Sequence, residues 1–220
     1  MAFAQGHITP ALYPMPTVVF CDNKGSATDA TIYNFTNTNL GEPAFDRVLV
    51  FGTCTRLGGV MVAQIGTDIA VNQVTTITGG ADRIALHTLP YPNPVLTGTV
   101  KVTSSGSARC GLAVWACYGV DPTPYGTDAT NISPANSQIT VSQNSIALAY
   151  VYNATAHTTT WSGTMGVVED FDSNDVEGQG HSGASCIVAN AKTNGTMIST
   201  FTSSTDPCGV SIALNYNGFK

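Results

Sequence analysis

The chain is poor in charged residues, since Asp, Glu, Lys and Arg make up 10% of its 220 positions. About a quarter of the residues are charged in an ordinary soluble domain. Thr, Ser, Gly and Asn must therefore supply most of the polar surface. The formal net charge is −6, and the eight Lys and Arg residues are scattered singly. The sequence thus offers no basic patch for nucleic acid, and its low charge suits a subunit whose surface is covered by neighbouring subunits.

Long apolar runs are also missing. No segment approaches the ~20 apolar residues that cross a membrane as a helix, so no membrane partner is expected. The first residues, MAFAQGHITPALYPMP, lack a basic stretch followed by a continuous apolar one, and a signal peptide is therefore not predicted. We expect synthesis in a host cytoplasm.

Sustained helical periodicity is the third absence. Short apolar or alternating runs occur instead, separated by Gly, Asn, Asp or Ser, which is typical of antiparallel strands joined by turns. In the last run, Val210, Ile212 and Leu214 alternate with small or polar residues. Strands are predicted at 17–20, 31–36, 46–53, 61–65, 69–77, 83–89, 96–104 and 110–120 and in six runs between 145 and 217. A short helix is expected only near 41–45.

The chain is predicted to form one all-β domain, an antiparallel sandwich spanning 17–220. Residues 121–137 contain three prolines and no periodicity, so a long loop is expected there. We do not interpret this loop as a linker, because the segments on either side look like complementary halves of one sandwich. The core is expected to contain Val48, Val50, Leu112, Val114, Trp115, Ile146 or Leu148, and Ile212.

Residues 1–16 are predicted to form an extended, proline-rich arm. The arm carries apolar side chains at Leu12, Tyr13 and Met15. Two interpretations remain open, an arm that docks on a neighbouring subunit and a frayed terminus.

The order of these patterns resembles a known family. It runs from an Asp-Arg pair leading an apolar strand at 46–51, through a Cys-x₄-Trp strand at 110–115, to an ALAYV strand, a TTTWSG turn, an acidic VEDFD segment, a GHSGAS turn and a final GVSIALN strand. Over about 17–216 the chain is similar to a jelly-roll-type module of structural proteins in tailed bacteriophages and prophages. The resemblance implies a jelly-roll fold and a non-enzymatic virion subunit of the head decoration, neck, collar or tail. Its partners would be other copies of itself and other virion proteins. The proline-rich arm and the six cysteines are not part of the family's pattern.

Two motifs invite a chemical interpretation. The string Gly180-His181-Ser182-Gly183-Ala184 is close to the G-x-S-x-G nucleophile elbow, but no His follows it and a strand is predicted next. We therefore predict no catalytic residue and no cofactor. Asp170, Asp172 and Asn174 imitate the start of an EF-hand loop, although the positions of its essential Gly and Glu hold Asp and His. They are weak calcium candidates, and a solvated acidic hairpin is the alternative.

The six cysteines lack C-x₂-C spacing, which argues against structural zinc. Cys110 and Cys117 are an odd number of residues apart on one predicted strand, so they should face opposite sides of the sheet. Buried free thiols and disulfides both stay open. The disulfide candidates are Cys21, Cys54 and Cys208, of which at least one is expected to bond across a subunit contact after release from the cell. Cys21 and Cys208 are expected to lie nearer the surface than Cys110 or Cys186.

Two further functions remain as alternatives. Trp161 stands at a strand end in polar surroundings, and a sugar-stacking surface there is an alternative to core packing. The first alternative function is accordingly a carbohydrate-binding module of a fibre or adhesin that binds a host glycan. The second is a glycan-degrading enzyme with paired carboxylates, for which the sequence predicts no cleft.

Overall fold

The computed structural model describes residues 15–56, 59–77, 82–131, 135–174, 176, 178–203 and 205–217. All the regular secondary structure in these ranges is β-strand, which confirms the all-β prediction. The strands are β1 (Thr17–Asn39), β2 (Val48–Thr55), β3 (Met61–Ile65), β4 (Asp68–Ile69), β5 (Val71–Ile77), β6 (Arg83–Pro90), β7 (Thr97–Tyr118), β8 (Gly126–Thr130), β9 (Ala135–Val141), β10 (Ser145–Asn153), β11 (Thr159–Ser162), β12 (Val168–Ser173), β13 (Gly180–Val188), β14 (Lys192–Phe201) and β15 (Cys208–Leu214).

Two local predictions were wrong. Residues 41–45 form a bend and the start of a turn instead of a short helix. The long loop expected at 121–137 is interrupted by β8 and by the start of β9. β8 has no apolar alternation to reveal it, and it forms because its backbone pairs with Gly209–Ala213 at the edge of β15.

A long three-stranded ribbon organises the first half of the chain. β1 pairs along the whole of β7, while β2 and β3 lie end to end along the other edge of β7. The register of β1 shifts between Ser26 and Ala30, and the two halves of the ribbon pack on each other. The ribbon strands β1, β2, β3 and β7 form sheet 1 together with β4, β5 and β6, and this sheet is rolled around an inner cluster. The inner cluster includes Tyr33, Phe35, Leu49, Phe51, Val100, Val102, Leu112 and Val114.

The outer face of sheet 1 packs on sheet 2, in which the strand order is β12-β13-β10-β15-β8. The central cluster between them includes Val48, Val50, Trp115, Ile146, Leu148, Tyr150 and Ile212. Sheet 3, of β11, β14 and β9, covers the other face of sheet 2. β2, β10 and β15 are consequently buried on both faces, as their continuous apolar runs predict.

This arrangement confirms an antiparallel β-sandwich, while its jelly-roll form stays a prediction. Every residue that was expected in the core is buried. Cys110 lies in the inner cluster and Cys117 in the central cluster, which confirms that they face opposite sides of β7.

Candidate functional site

Asp170 and Asp172, two of the weak calcium candidates, accept hydrogen bonds from other residues of the chain. The Asp170 carboxylate accepts hydrogen bonds from Trp115 Nε1 at 2.8 Å and from Ser185 Oγ at 3.0 Å. Asp172 accepts from the backbone nitrogen of Thr159 at 2.9 Å and from its hydroxyl at 3.2 Å. These carboxylates therefore tie β12 to neighbouring strands.

Asn174 behaves in the same way. It accepts a hydrogen bond from the His157 backbone nitrogen at 2.9 Å and donates one to the His157 carbonyl at 3.0 Å. In the part of the chain that the structure describes, no group of three His, Cys, Asp or Glu side chains is placed to hold a metal ion.

Ser182 and Trp161 are bonded to each other. Trp161 Nε1 donates to Ser182 Oγ at 2.9 Å, and Ser182 Oγ donates to the carbonyl of Phe171 at 2.8 Å. Ser182 is fully buried inside β13. The Trp161 ring packs against the clusters beneath sheet 3 and is only partly exposed, so most of a sugar-stacking face is already covered.

The expectation that Cys208 lies near the surface was wrong, and Cys54, another disulfide candidate, is buried as well. Cys208 is the first residue of β15, and its pairing with Tyr152 turns it into the central cluster. Cys54 faces the same cluster, where the Tyr150 hydroxyl donates to its sulfur at 3.2 Å. Cys21 is partly exposed, as is Cys186. No two cysteines of the described chain lie at disulfide distance, so a disulfide between subunits stays a prediction, with Cys21 the one candidate near the surface.

Thiol labelling of the native protein should follow this burial. Burial raises the pKa of Cys21 and of Cys186 to about 11, so each thiol contains little reactive thiolate near neutral pH. We expect slow alkylation of these two in the folded chain and alkylation of the other four only after denaturation. Peptide mapping after labelling with iodoacetamide tests this, and rapid native labelling of Cys208 would contradict the burial.

His87 is a buried titratable group on the inner face of sheet 1, where it pairs with Phe51 of the inner cluster. It is fully buried, and its Nε2 lies 3.0 Å from Thr53 Oγ1. Burial lowers the pKa of His87 from 6.5 to about 4. The unfolded chain therefore binds a proton at His87 as pH falls through 6.5, whereas the folded chain resists until about pH 4, and stability is lost across that window.

Replacement of His87 with Leu should remove this part of the acid sensitivity. We expect the free energy of unfolding of the wild type to fall by about 2 kcal/mol more than that of His87→Leu between pH 7.5 and pH 5. Urea denaturation at the two pH values measures this difference. The same loss in both proteins would mean that His87 does not titrate in this way.

An open groove of about 640 Å³ is a concave feature that could serve as a binding site. One wall is the turn that leads into β4, and the other is the proline-rich loop that follows β6. Its lining residues are Thr67, Asp68, Ile69, Leu89, Pro90, Tyr91, Pro92, Asn93 and Pro94. The volume falls within the range of pockets that bind small molecules or short peptides.

Arg47 holds the proline-rich wall in place from below. Its side chain is 1% exposed, and every hydrogen bond that it donates goes to a backbone carbonyl. The acceptors and distances are Tyr91 at 3.0 Å, Leu40 at 3.2 Å, Gly41 at 2.8 Å, Val95 at 3.1 Å and Asn93 at 2.6 Å. The guanidinium carbon also lies 5.3 Å from the centre of the Tyr91 ring. One buried cation thus fixes a loop that contains few backbone donors of its own.

The groove is electrostatically mild. Burial raises the pKa of Tyr91, as does the nearby Asp68, while Arg47 opposes both effects. Burial also lowers the pKa of Arg47, which still leaves a guanidinium charged at neutral pH. Asp68 is the single charged residue of the lining, so an uncharged, largely apolar ligand suits the groove better than an ionic one.

Exposed apolar side chains continue from both walls. Ile69 is 62% exposed and is followed in sequence by Val71 at 59%, while Val95 and Leu96 follow Pro94 and are also exposed. Single exposed apolar residues are ordinary on protein surfaces, but a group around a groove marks an interaction site.

Sequence reasoning missed this site. The proline loop and the Asp-Arg pair before β2 were both visible, but nothing in the pattern joined them. A single Arg at the head of an apolar run, in a chain with eight basic residues, was the signal that could have prompted the link, because an Arg beside a buried strand needs acceptors.

The comparisons with family models and with curated proteins assign the chain to no family. Neither a protein-family model nor a curated protein matches this chain. No helix of a length and apolar character suited to crossing a membrane occurs among the described residues.

Proposed function

We propose that the chain is a non-enzymatic structural subunit of a bacteriophage virion that associates with copies of itself and with other virion proteins. The observation that carries self-association is a set of exposed apolar side chains: Ile69 in the groove wall, and Val71, Val95 and Leu96, which follow the two walls in sequence. A low-charge surface with such a patch gains free energy when a partner covers it.

The virion part of the proposal is supported by the resemblance in the order of strand and turn patterns across 17–216. The internal use of the acidic residues and of Ser182 favours a structural role over catalysis. The N-terminal arm is the proposed contact with a neighbouring subunit. Of its apolar side chains, Met15 is 51% exposed, while Leu12 and Tyr13 lie outside the described residues.

Two measurements test the proposal. Multi-angle light scattering of the purified chain should show oligomers, and deletion of residues 1–16 should weaken them while the β-rich circular dichroism spectrum is retained. Mass spectrometry of particles purified from a culture that produces the protein should find it in many copies per particle. Its absence from such particles would exclude the virion role, and unfolding on deletion would show that the arm is part of the core.

A carbohydrate-binding module on a fibre or adhesin remains the second candidate. The exposed aromatic rings Phe45 and Tyr125 are the observation that favours it, because flat exposed rings stack on sugars. Specific binding on a glycan array would support this function over the structural one. Turnover of a polysaccharide would support the glycan-degrading enzyme.

A further inference from the structure

We propose that the groove is the receptor for the N-terminal arm of a neighbouring copy, so that two subunits exchange arms reciprocally. This inference rests on the proposed self-association and assigns its contact. Residues 1–14 would lie against the walls formed by 67–69 and 89–94, with the apolar side chains of Leu12 and Tyr13 as anchors.

The arm precedes β1, whose first residues lie close to the groove. A single row of paired residues crosses sheet 1, in which Val18 pairs with Cys117, Cys117 with Val48, and Val48 with Pro90. Three inter-strand spacings separate Val18 from Pro90, which is about 14 Å. The start of β1 and the end of β6 therefore lie at the same end of the sheet, so the described chain begins close to the groove.

The arm is long enough to reach a groove on a second copy of the chain. Fourteen extended residues span up to about 45 Å, several times the distance from β1 to the groove. When two copies meet at this end through a two-fold axis, the groove and the start of the arm of both copies lie in the contact, because a two-fold contact uses the same surface on both copies. Both contacts then form at once, and each strengthens the other by raising its effective concentration.

The arm and the groove also have similar chemical character. The first sixteen residues contain no Asp, Glu, Lys or Arg, and they include Pro10, Pro14 and Pro16. Prolines restrict the unbound segment to extended conformations, which reduces the entropy lost on docking. The groove is likewise nearly uncharged and is lined by Ile69, Leu89 and three prolines. A segment without charged side chains thus precedes β1 at the end of the subunit where a nearly uncharged groove lies.

Photo-crosslinking of the full chain tests the assignment. Tyr13 is replaced by p-benzoylphenylalanine, the oligomer is irradiated, and products are separated on a reducing denaturing gel. We expect a crosslinked dimer whose arm peptide is joined to peptides containing 67–69 or 89–94. The same photoreactive residue at Val168, which is exposed on β12, provides the control and should leave these groove peptides unmodified.

A charge in the groove should abolish the contact. Ile69→Glu places a carboxylate where the arm docks and should reduce the dimer crosslink at least about tenfold, because an unpaired charge resists burial. Ile187→Glu, at another exposed apolar position, should leave the yield unchanged. Both side chains are exposed, so neither substitution removes core packing.

Each remaining outcome decides against the assignment. A groove crosslink found only in the monomer band would place the arm in its own subunit, and crosslinks to other surfaces would remove the groove as receptor. An unchanged yield in Ile69→Glu would do the same. Light scattering distinguishes failure of the arm assignment from failure of the proposed self-association. Oligomers whose arms crosslink elsewhere overturn the arm assignment alone, whereas a strictly monomeric chain overturns the self-association.

Discussion

Replacing Arg47 with Met should lower the free energy of unfolding by about 3–5 kcal/mol, measured by urea denaturation. Met has a similar length and no donors, so the five carbonyls that Arg47 now serves would lose their partner, and the bonds to Tyr91, Leu40 and Gly41 are buried. Arg47→Lys should recover only a small part of the loss. Lys keeps the charge but cannot direct donors to carbonyls on several sides of a planar group.

Lys24 provides the matched control. Its ammonium lies 3.4 Å from Asp22 on the partly exposed face of β1, where an ion pair contributes little. Lys24→Met removes the same charge and should change stability by less than about 1 kcal/mol. If Arg47→Met were equally mild, the carbonyl network would not be what holds the loop. Amide hydrogen exchange should also rise at Tyr91, Asn93 and Val95 in Arg47→Met before it rises in β2, because the loop loses its anchor while the strand keeps both neighbours.

The layers of the fold could be predicted because burial on two faces leaves a direct trace in the sequence. The runs at 46–53 and 145–153 are apolar without alternation, and they form β2 and β10 between two layers. The full length of β1 left no such trace. Its middle, from Asp22 to Asp29, is polar except for Gly25 and Ala27, and it is held by backbone pairing to β7, as between Asp22 and Val114 or between Ser26 and Cys110, far away in sequence.

The candidate site could not be predicted for the same reason. Arg47 and the carbonyls of Tyr91, Asn93 and Val95 are separated by more than forty positions, and only the pairing of β2 with β6 brings them together. Cys208 shows how a local signal misleads. Its turn-like surroundings suggested exposure, but the register with β10 decides the direction of its side chain.

Packing in the central cluster can be tested at Trp115, the largest of the fully buried side chains. The ring centre lies 5.8 Å from that of Phe20, 6.2 Å from Tyr150 and 6.1 Å from Phe171. Trp115→Ala should lower the free energy of unfolding by about 3–5 kcal/mol, because it opens a cavity where β1, β10 and β12 meet. Trp161→Ala, which truncates a partly exposed ring on sheet 3, is the control and should cost clearly less.

A pH dependence separates the lost packing from the lost hydrogen bond. Burial raises the pKa of Asp170, and the bonds from Trp115 and Ser185 oppose that rise. Trp115→Phe keeps an aromatic ring but removes one donor to the carboxylate, so the pKa of Asp170 should rise further. The cost of Trp115→Phe should therefore be largest above that pKa, where Asp170 is ionised, and should shrink as acid protonates the group in the folded protein.

Asp170→Asn isolates this contribution, since an amide does not ionise and still accepts a hydrogen bond from Ser185. In an Asp170→Asn background the cost of Trp115→Phe should lose its dependence on pH and keep only the packing difference between the two rings. Urea denaturation of the four proteins in this cycle at pH 4 and pH 7.5 provides the measurement. A cost that stays equal at both pH values in the wild-type background would show that the indole nitrogen does not stabilise the carboxylate, and that Trp115 acts in the core through its ring contacts alone.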